Sequence, residues 1–300
     1  MISPKPLQPK LRVNAPSASS LLKLNPNQPA ARPLRRPMTI AIGFAYDDGL
    51  VLCADTKIGS NSKTNESKIE HFVSSNGYCR IAFAMTGVDL SFPRAAIRNC
   101  WQSIQQIDFA TTHIEKVRDA IDSHLAGFYK GHIYEHPDRT PGQVFFQFLI
   151  GVWLRDQSHL YLSHETVTNS VDEYECIGGG AYLAKYLIEQ YRRANPGANG
   201  VRDAALIARH AVQEAIDYDE GCGGTPQLLI IQNDGTASNQ LEGLGYPSNM
   251  FLDVFSDLKW KLIRDLAYMS AEDRFGNAAT ERVDGFSKQV HELDSAKWNF

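Results

Sequence analysis

Thr39-Ile40-Ala41-Ile42-Gly43-Phe44-Ala45-Tyr46-Asp47-Asp48-Gly49-Leu50-Val51-Leu52-Cys53-Ala54-Asp55 is the stretch on which the reading of this chain turns. Two apolar runs, 39–46 and 50–56, flank Asp47-Asp48-Gly49, a dipeptide-plus-glycine turn signal, so the segment reads as a hairpin. A hydroxyl residue opens it and a carboxylate closes it. Met38 stands directly before Thr39. If the chain is cut between them, Thr39 carries a nucleophilic hydroxyl and a free amine, which together form a self-contained catalytic pair.

Outward from the hairpin, Lys68–Val73 and Tyr78–Met85 flank Ser75-Asn76-Gly77, a second hairpin signal. Helical spacing then takes over. Residues 89–106 carry Leu90, Ala95, Ile97, Trp101 and Ile104, and 112–129 carry Ile114, Val117, Ile121 and Leu125, with Thr112 and Glu115 in capping-box positions. Strands are predicted over 142–154, 158–164 and 172–177, helices over 181–193 and 201–218, and a short buried strand over 227–232. Strands and helices come in blocks rather than alternating, which disfavours a parallel doubly wound sheet. Two antiparallel sheets packed on each other, each covered by a helix pair, bury every apolar face. The expected fold is therefore an α+β, four-layer α-β-β-α sandwich.

Composition divides the chain. Residues 1–37 hold seven of the basic side chains, no acidic one and eight of the fourteen prolines, and they read as a disordered basic extension. Three readings of it stay open: a propeptide, a targeting arm, or an upstream extension with Met38 as the true start. Subtracting those seven from 30 basic residues leaves 23 against 34 acidic over 38–300, so the main body is acidic and a nucleic-acid groove is not expected there. No stretch approaches the ~20 apolar residues of a membrane span. Five scattered cysteines without a CxxC pair read as reduced thiols, and a cytoplasmic location is expected. His132 and His136 read as loop residues without a partner cluster, so neither a metal site nor a cofactor is expected. A domain is expected over 38–240, followed over 241–300 by a helical extension, with Leu252, Phe255, Leu258, Leu262 and Leu266 on helical spacing, and a polar tail.

Thr39, Asp55 and Lys68 (within Glu66-Ser67-Lys68-Ile69-Glu70) resemble the catalytic set of the proteasome β-subunit family of N-terminal-nucleophile hydrolases, over about residues 39–235. Further segments match in the family's order. Ala84-Met85-Thr86-Gly87 resembles the turn whose glycine amide forms the oxyanion hole. Cys176-Ile177-Gly178-Gly179-Gly180 resembles the Gly-Ser-Gly turn, and Asp219-Glu220-Gly221-Cys222-Gly223-Gly224 the Asp-x-x-Ser-Gly-Gly turn. The chain departs from the pattern at Gly179 and Cys222, where the family carries serines, and at Met38, where self-processing members carry glycine.

The resemblance implies a threonine-type peptidase forming an acyl-enzyme on Thr39. The α-amine, whose pKa lies near about 8, is the base. Lys68 supplies positive charge, Asp55 orients it, Gly87 donates to the oxyanion and Asp219 steadies the amino terminus. Ile58 and Met85 fall at the substrate pocket, while Glu66, Glu70 and Asp89 fall near the same wall, leaving an apolar and a basic preference both open. The resemblance also implies peptide or unfolded-protein substrates, a homo-oligomeric ring or related assembly, and an ATPase unfoldase partner. A non-catalytic ring subunit and an amidase or acyltransferase are the alternatives on the same fold.

Overall fold

The computed structural model describes residues 39–58, 65–136, 145–194 and 200–239, together with the isolated positions Glu281, Asp284, Gly285 and Lys288. The extension expected over 1–37 and the helical positions expected from Leu252 to Leu266 lie outside the described residues.

The first hairpin forms as its sequence dictates: β1 (Ile40–Tyr46) pairs antiparallel with β2 (Gly49–Ala54), with Ala41 opposite Ala54. The second hairpin is β3 (Ile69–Val73) and β4 (Cys79–Gly87). Helices α1 (Ser91–Ile104) and α2 (Ile114–Tyr129) follow, and α2 runs on into a π-helical turn, Lys130–Tyr134. Then come β5 (Phe146–Leu154), β6 (Gln157–His164), β7 (Val167–Val171), β8 (Tyr174–Gly178), α3 (Ala181–Ala194), α4 (Val201–Tyr218), β9 (Gln227–Gln232) and the short β10 (Ala237–Ser238). One sheet has the order β10-β9-β2-β1-β8 and the other β3-β4-β5-β6-β7, antiparallel throughout.

The four-layer sandwich expected from the block order is the architecture found. The middle core, between the sheets, takes Ala41, Leu50, Leu52, Ala82, Ala84, Leu149, Leu160, Ile177 and Leu229. The outer cores lie under α1–α2 and under α3–α4. Sheet residues therefore meet apolar neighbours on both faces, which is why β2 is buried along its whole length and reads as a continuous apolar run rather than an alternation. The sheets approach closely at two glycines. A Cβ on Gly43 would stand 2.9 Å from Leu160 Cδ1 and one on Gly151 2.8 Å from Leu50 Cδ1, so each sheet offers a hole to a leucine of the other.

Three expectations need correction. Thr112 does not cap α2: the N-cap is His113, which makes no side-chain capping bond, while the Thr112 carbonyl accepts from Arg155 Nη2 at 2.8 Å. His132 belongs to the π-helical turn rather than a loop, because α2 continues past its expected end at Tyr129. β7 was not foreseen as a strand: its Thr168, Asn169 and Ser170 suggest a loop, but pairing to β6 satisfies the backbone, and the Thr168 amide donates to Asp122 on α2 at 2.7 Å.

Candidate active site

The antiparallel register brings the ends of the opening segment together. Beyond the Ala41–Ala54 pair, the Asp55 amide donates to the Ile40 carbonyl at 3.2 Å, so Thr39 and Asp55 meet at one end of the sheet. The Thr39 hydroxyl donates to Asp55 Oδ1 at 2.7 Å. From the opposite sheet, Lys68 enters just before β3. Its Nζ donates to Thr39 Oγ1 at 2.6 Å and to Asp55 Oδ1 at 2.7 Å. Thr39, Asp55 and Lys68 are 1%, 0% and 1% exposed, so the triangle is sealed from solvent in this arrangement.

Backbone donors complete the carboxylate's shell. Asp55 Oδ1 also accepts from the Ile40 amide at 3.0 Å, and Oδ2 from the Gly223 amide at 3.1 Å. Four donors thus converge on the buried carboxylate: the Thr39 hydroxyl, Lys68 Nζ and the Ile40 and Gly223 amides. Burial is the largest influence on Lys68 and holds its proton affinity below that of an ordinary lysine, with Asp55 opposing. A neutral amine is thus nearer in free energy here than at a surface.

Two turns mould the site. Gly178 lies at φ +95°, and a Cβ there would fall on the Thr39 carbonyl, so the backbone of β8 can pass Thr39 only with glycine at that position. The turn after α4 is fastened by Thr56 and Lys57, whose amides donate to the Gly223 carbonyl at 3.2 and 3.0 Å, and by Lys57 Nζ donating to the Glu220 carbonyl at 2.8 Å. Asp219 shapes the same turn. Its carboxylate accepts from the Gly221 amide at 2.8 Å and its carbonyl from the Cys222 amide at 2.8 Å, which sets up the Gly223 donor to Asp55. The Cys222 thiol, buried beside this group, is pushed up to about 12, chiefly by burial and then by Asp55 and Asp219.

Of the remaining residues singled out from the sequence, Met85 and Gly87 lie on β4, in the sheet that supplies Lys68. Gly87 ends β4 opposite Phe146, and a Cβ there would stand 3.1 Å from Phe146 Cβ. Met85 is fully buried, its amide donates to the Lys68 carbonyl at 2.9 Å, and Ile58 packs against the same cluster. The three acids near that wall are engaged. Arg94 on α1 forms an ion pair with Glu66, lies 3.9 Å from Glu70 and donates to the Ser67 carbonyl at 3.0 Å, while Asp89 accepts from the Ser91 amide at 2.8 Å.

Sequence reasoning passed over Gln227. Its Oε1 accepts from the Lys68 and Ile69 amides at 2.9 and 3.3 Å, and its Nε2 donates to Ser67 Oγ at 2.7 Å. The only trace in the sequence is a polar residue opening an otherwise apolar strand. Arg94 was likewise invisible as a site residue, because Glu66, Ser67 and Glu70 lie on the other side of the β3–β4 hairpin, while Gly223 was read only as part of the turn 219–224 and not as a donor to Asp55.

A hydroxyl, a buried lysine and a buried carboxylate between two antiparallel sheets covered by helix pairs define an N-terminal-nucleophile-type α+β sandwich. The family model for the proteasome subunit matches residues 38–231, and the chain belongs to that family. It is 23% identical to proteasome subunit beta 1 of Desulfurococcus amylolyticus over 204 residues, 67% of this chain and 93% of that protein. Among solved structures, Anbu, described as an ancestral beta-subunit, from Yersinia bercovieri superposes with a TM-score of 0.61 at 12% identity, covering 78% of this chain and 98% of that one. Anbu from Pseudomonas aeruginosa, solved as a helical assembly, gives 0.55 at 13% identity, with 78% and 98% coverage. Among the described residues, no helix is long and apolar enough to cross a membrane.

Proposed function

We propose that the chain is a threonine peptidase that hydrolyses peptide bonds through an acyl-enzyme on Thr39 once Thr39 is the first residue of the mature protein. The observation that carries this reading is the buried triangle in which Lys68 Nζ and Asp55 Oδ1 lie 2.6 and 2.7 Å from the Thr39 hydroxyl oxygen. A threonine hydroxyl needs a base, and the α-amine released by cleavage after Met38 supplies one with a pKa of about 8. Thr39 Oγ1 attacks the scissile carbonyl carbon and its proton passes to that amine. Lys68 stabilises the developing alkoxide, Asp55 holds Lys68, and the Gly87 amide donates to the oxyanion. The protonated amine then gives its proton to the departing amino group, and water hydrolyses the ester.

Ile58 and Met85 form the apolar side of the pocket for the substrate residue. Arg94 engages both Glu66 and Glu70, which favours an apolar over a basic occupant. Asp219 acts through the turn that delivers Gly223. Peptides or unfolded proteins are the substrates, in the cytoplasm, within a homo-oligomeric ring or related assembly fed by an ATPase unfoldase. No cofactor enters the scheme.

Intact mass of the protein from its native source, combined with peptide hydrolysis by wild type and Thr39→Ala, tests the reading. A mature chain beginning at Thr39, active and silenced by Thr39→Ala, supports it; full cleavage by Thr39→Ala overturns it. A chain that retains residue 1 points to a structural ring subunit, and amine-trapped products in place of hydrolysis point to an acyltransferase.

A further inference from the structure

We propose that Gln227 is a positioning residue that holds Lys68 at Thr39, working as a ruler between the two sheets. The inference rests on the peptidase reading above and deepens it. Thr39 and Asp55 belong to the sheet of β1 and β2, whereas Lys68 reaches them from the start of β3 in the other sheet. Backbone pairing between the two sides stops short of the lysine: an isolated bridge joins Lys57 to Asn65 and the Glu66 amide donates to the Thr56 carbonyl at 2.9 Å, which leaves Lys68 itself to be placed by other contacts.

Gln227 occupies the required place. It opens β9 and pairs with Ala54, the residue immediately before Asp55. Its side chain crosses to the other sheet and spends both ends of the amide there. Oε1 takes the amides of Lys68 and Ile69, and Nε2 takes Ser67 Oγ at 2.7 Å, with the Ile69 carbonyl at 3.5 Å. One side chain thereby grips three consecutive residues centred on Lys68. The Met85 amide on the Lys68 carbonyl and Arg94 Nη2 on the Ser67 carbonyl hold the same segment from the sheet and from α1. Those two contacts tie the lysine to its own half of the molecule; the Glu66 amide on the Thr56 carbonyl ties the chain two residues earlier to the Asp55 side, and Gln227 ties Lys68 and Ile69 to it directly.

Proton transfer and charge stabilisation at Thr39 depend steeply on the placement of this ammonium, and a misplacement of about 1 Å costs roughly 100-fold in rate. The charged and titratable groups around Lys68 are Asp55 at the end of β2, Cys222 in the turn after α4, and Lys57 beyond it. Glu66 and Arg94 flank its backbone. None of these donates to or accepts from both neighbouring amides as Gln227 does.

The test uses the full chain with Gln227→Met, which keeps length and loses both polar ends, and Gln227→Glu, which keeps the acceptor. Hydrogen exchange at the Lys68 and Ile69 amides is measured alongside kcat and KM for peptide hydrolysis. Gln227→Met is expected to expose both amides to exchange and to lower kcat by about 100-fold with KM little changed. Gln227→Glu is expected to keep the amides protected and to restore most of kcat. Wild-type kcat in Gln227→Met at a temperature where the variant is folded overturns the proposal, as does unchanged exchange at the two amides. If Gln227→Met does not fold, loss of amide protection in Gln227→Glu overturns it instead. A wild-type protein that cleaves no peptide removes the peptidase reading, yet the exchange measurement still decides whether Gln227 holds Lys68.

Discussion

The layer under α3–α4 and the layer under α1–α2 cover sheets of the same size with opposite kinds of side chain. On the first, α4 presents Ala204, Ala205, Ala208, Ala211 and Ala215, and Phe44 is the fully buried aromatic of that core among the described residues. On the second, Phe83, Phe109, Phe128, Tyr129, Phe146 and Phe148 fill the gap, with Phe72 and Trp101 stacked at 5.1 Å between β3 and α1. Alanine lets helix backbone approach sheet backbone, so the positions of Thr39 and Asp55 follow from main-chain packing. Aromatic rings fill the gap under α1 and α2, and on this side Lys68 is placed by the Met85 amide together with side-chain contacts from Gln227 and Arg94. The site thus joins a half located by backbone to a half that relies on side chains as well.

The sharpest way to break that comparison is to cut the joint itself. Lys68→Met leaves the Asp55 carboxylate fully buried without its cation, which costs about 3–5 kcal/mol. Urea denaturation of the folded variant is expected to show a loss of this size together with loss of peptide hydrolysis. A cost below about 1 kcal/mol would mean that the pair behaves as an exposed one and that the halves are not coupled there.

Next come the two cores. Phe148→Ala empties the aromatic layer and is expected to cost about 3–5 kcal/mol, the range for a buried phenylalanine. Ala208→Leu forces bulk between α4 and its sheet and is expected to cost about 1–3 kcal/mol by overpacking. The second also shifts α4 and with it the ends of β1 and β2, so it lowers kcat by moving Thr39 and Asp55. If Ala208→Leu is neutral in both denaturation and kcat, the alanine face is not a close-approach surface.

The same contrast explains what could be read from the sequence. The hairpin 39–55 was legible because its register depends on neighbours in the chain, and register carries Thr39 to Asp55 without any distant contact. Lys68 became legible only through resemblance, since no local rule says that a lysine before β3 will cross to another sheet. Gln227 was not legible at all: its partners, Ser67 to Ile69, lie about 160 positions away, and a polar residue at the start of a strand ordinarily faces water. β7 was missed because its polar residues suit a largely exposed edge strand, and its pairing to β6 and the Thr168 amide on Asp122 of α2 are tertiary facts. The acids at 66, 70 and 89 left the pocket undecided for the same reason, as the sequence does not reveal that Arg94 and the start of α1 engage them.

A smaller effect separates the halves at the entry to α4. Asp48, in the β1–β2 turn, accepts from the Val201 amide with Oδ1 at 2.9 Å and Oδ2 at 3.1 Å, so the hairpin that follows Thr39 also caps the helix that packs on it. Asp48→Ala is expected to cost about 1 kcal/mol, visible as a lower thermal midpoint, while Asp48→Asn retains most of the cap. Equal losses in both variants would show that charge, rather than the hydrogen bond, stabilises this helix end.

The pH dependence of stability gives the finest discrimination. His71 on β3, His124 on α2 and His159 on β6 all belong to the aromatic half, and burial holds the proton affinity of each below the ordinary value of 6.5. Arg80 adds to the effect at His71, whereas Glu115 opposes it at His159. As pH falls below 6.5, the unfolded chain takes up these protons before the folded one, so unfolding free energy declines with falling pH. The contribution is fully present above 6.5 and is lost as pH passes through the depressed folded values. Urea midpoints measured from pH 7 to pH 5 are expected to fall, and His71→Gln or His159→Gln to flatten the fall. Hydrogen exchange corrected for its intrinsic pH dependence is expected to show β3, β6 and α2 losing protection before β1, β2 and α4. The reverse order would place the acid-sensitive half on the backbone-packed side and contradict the division between the two layers.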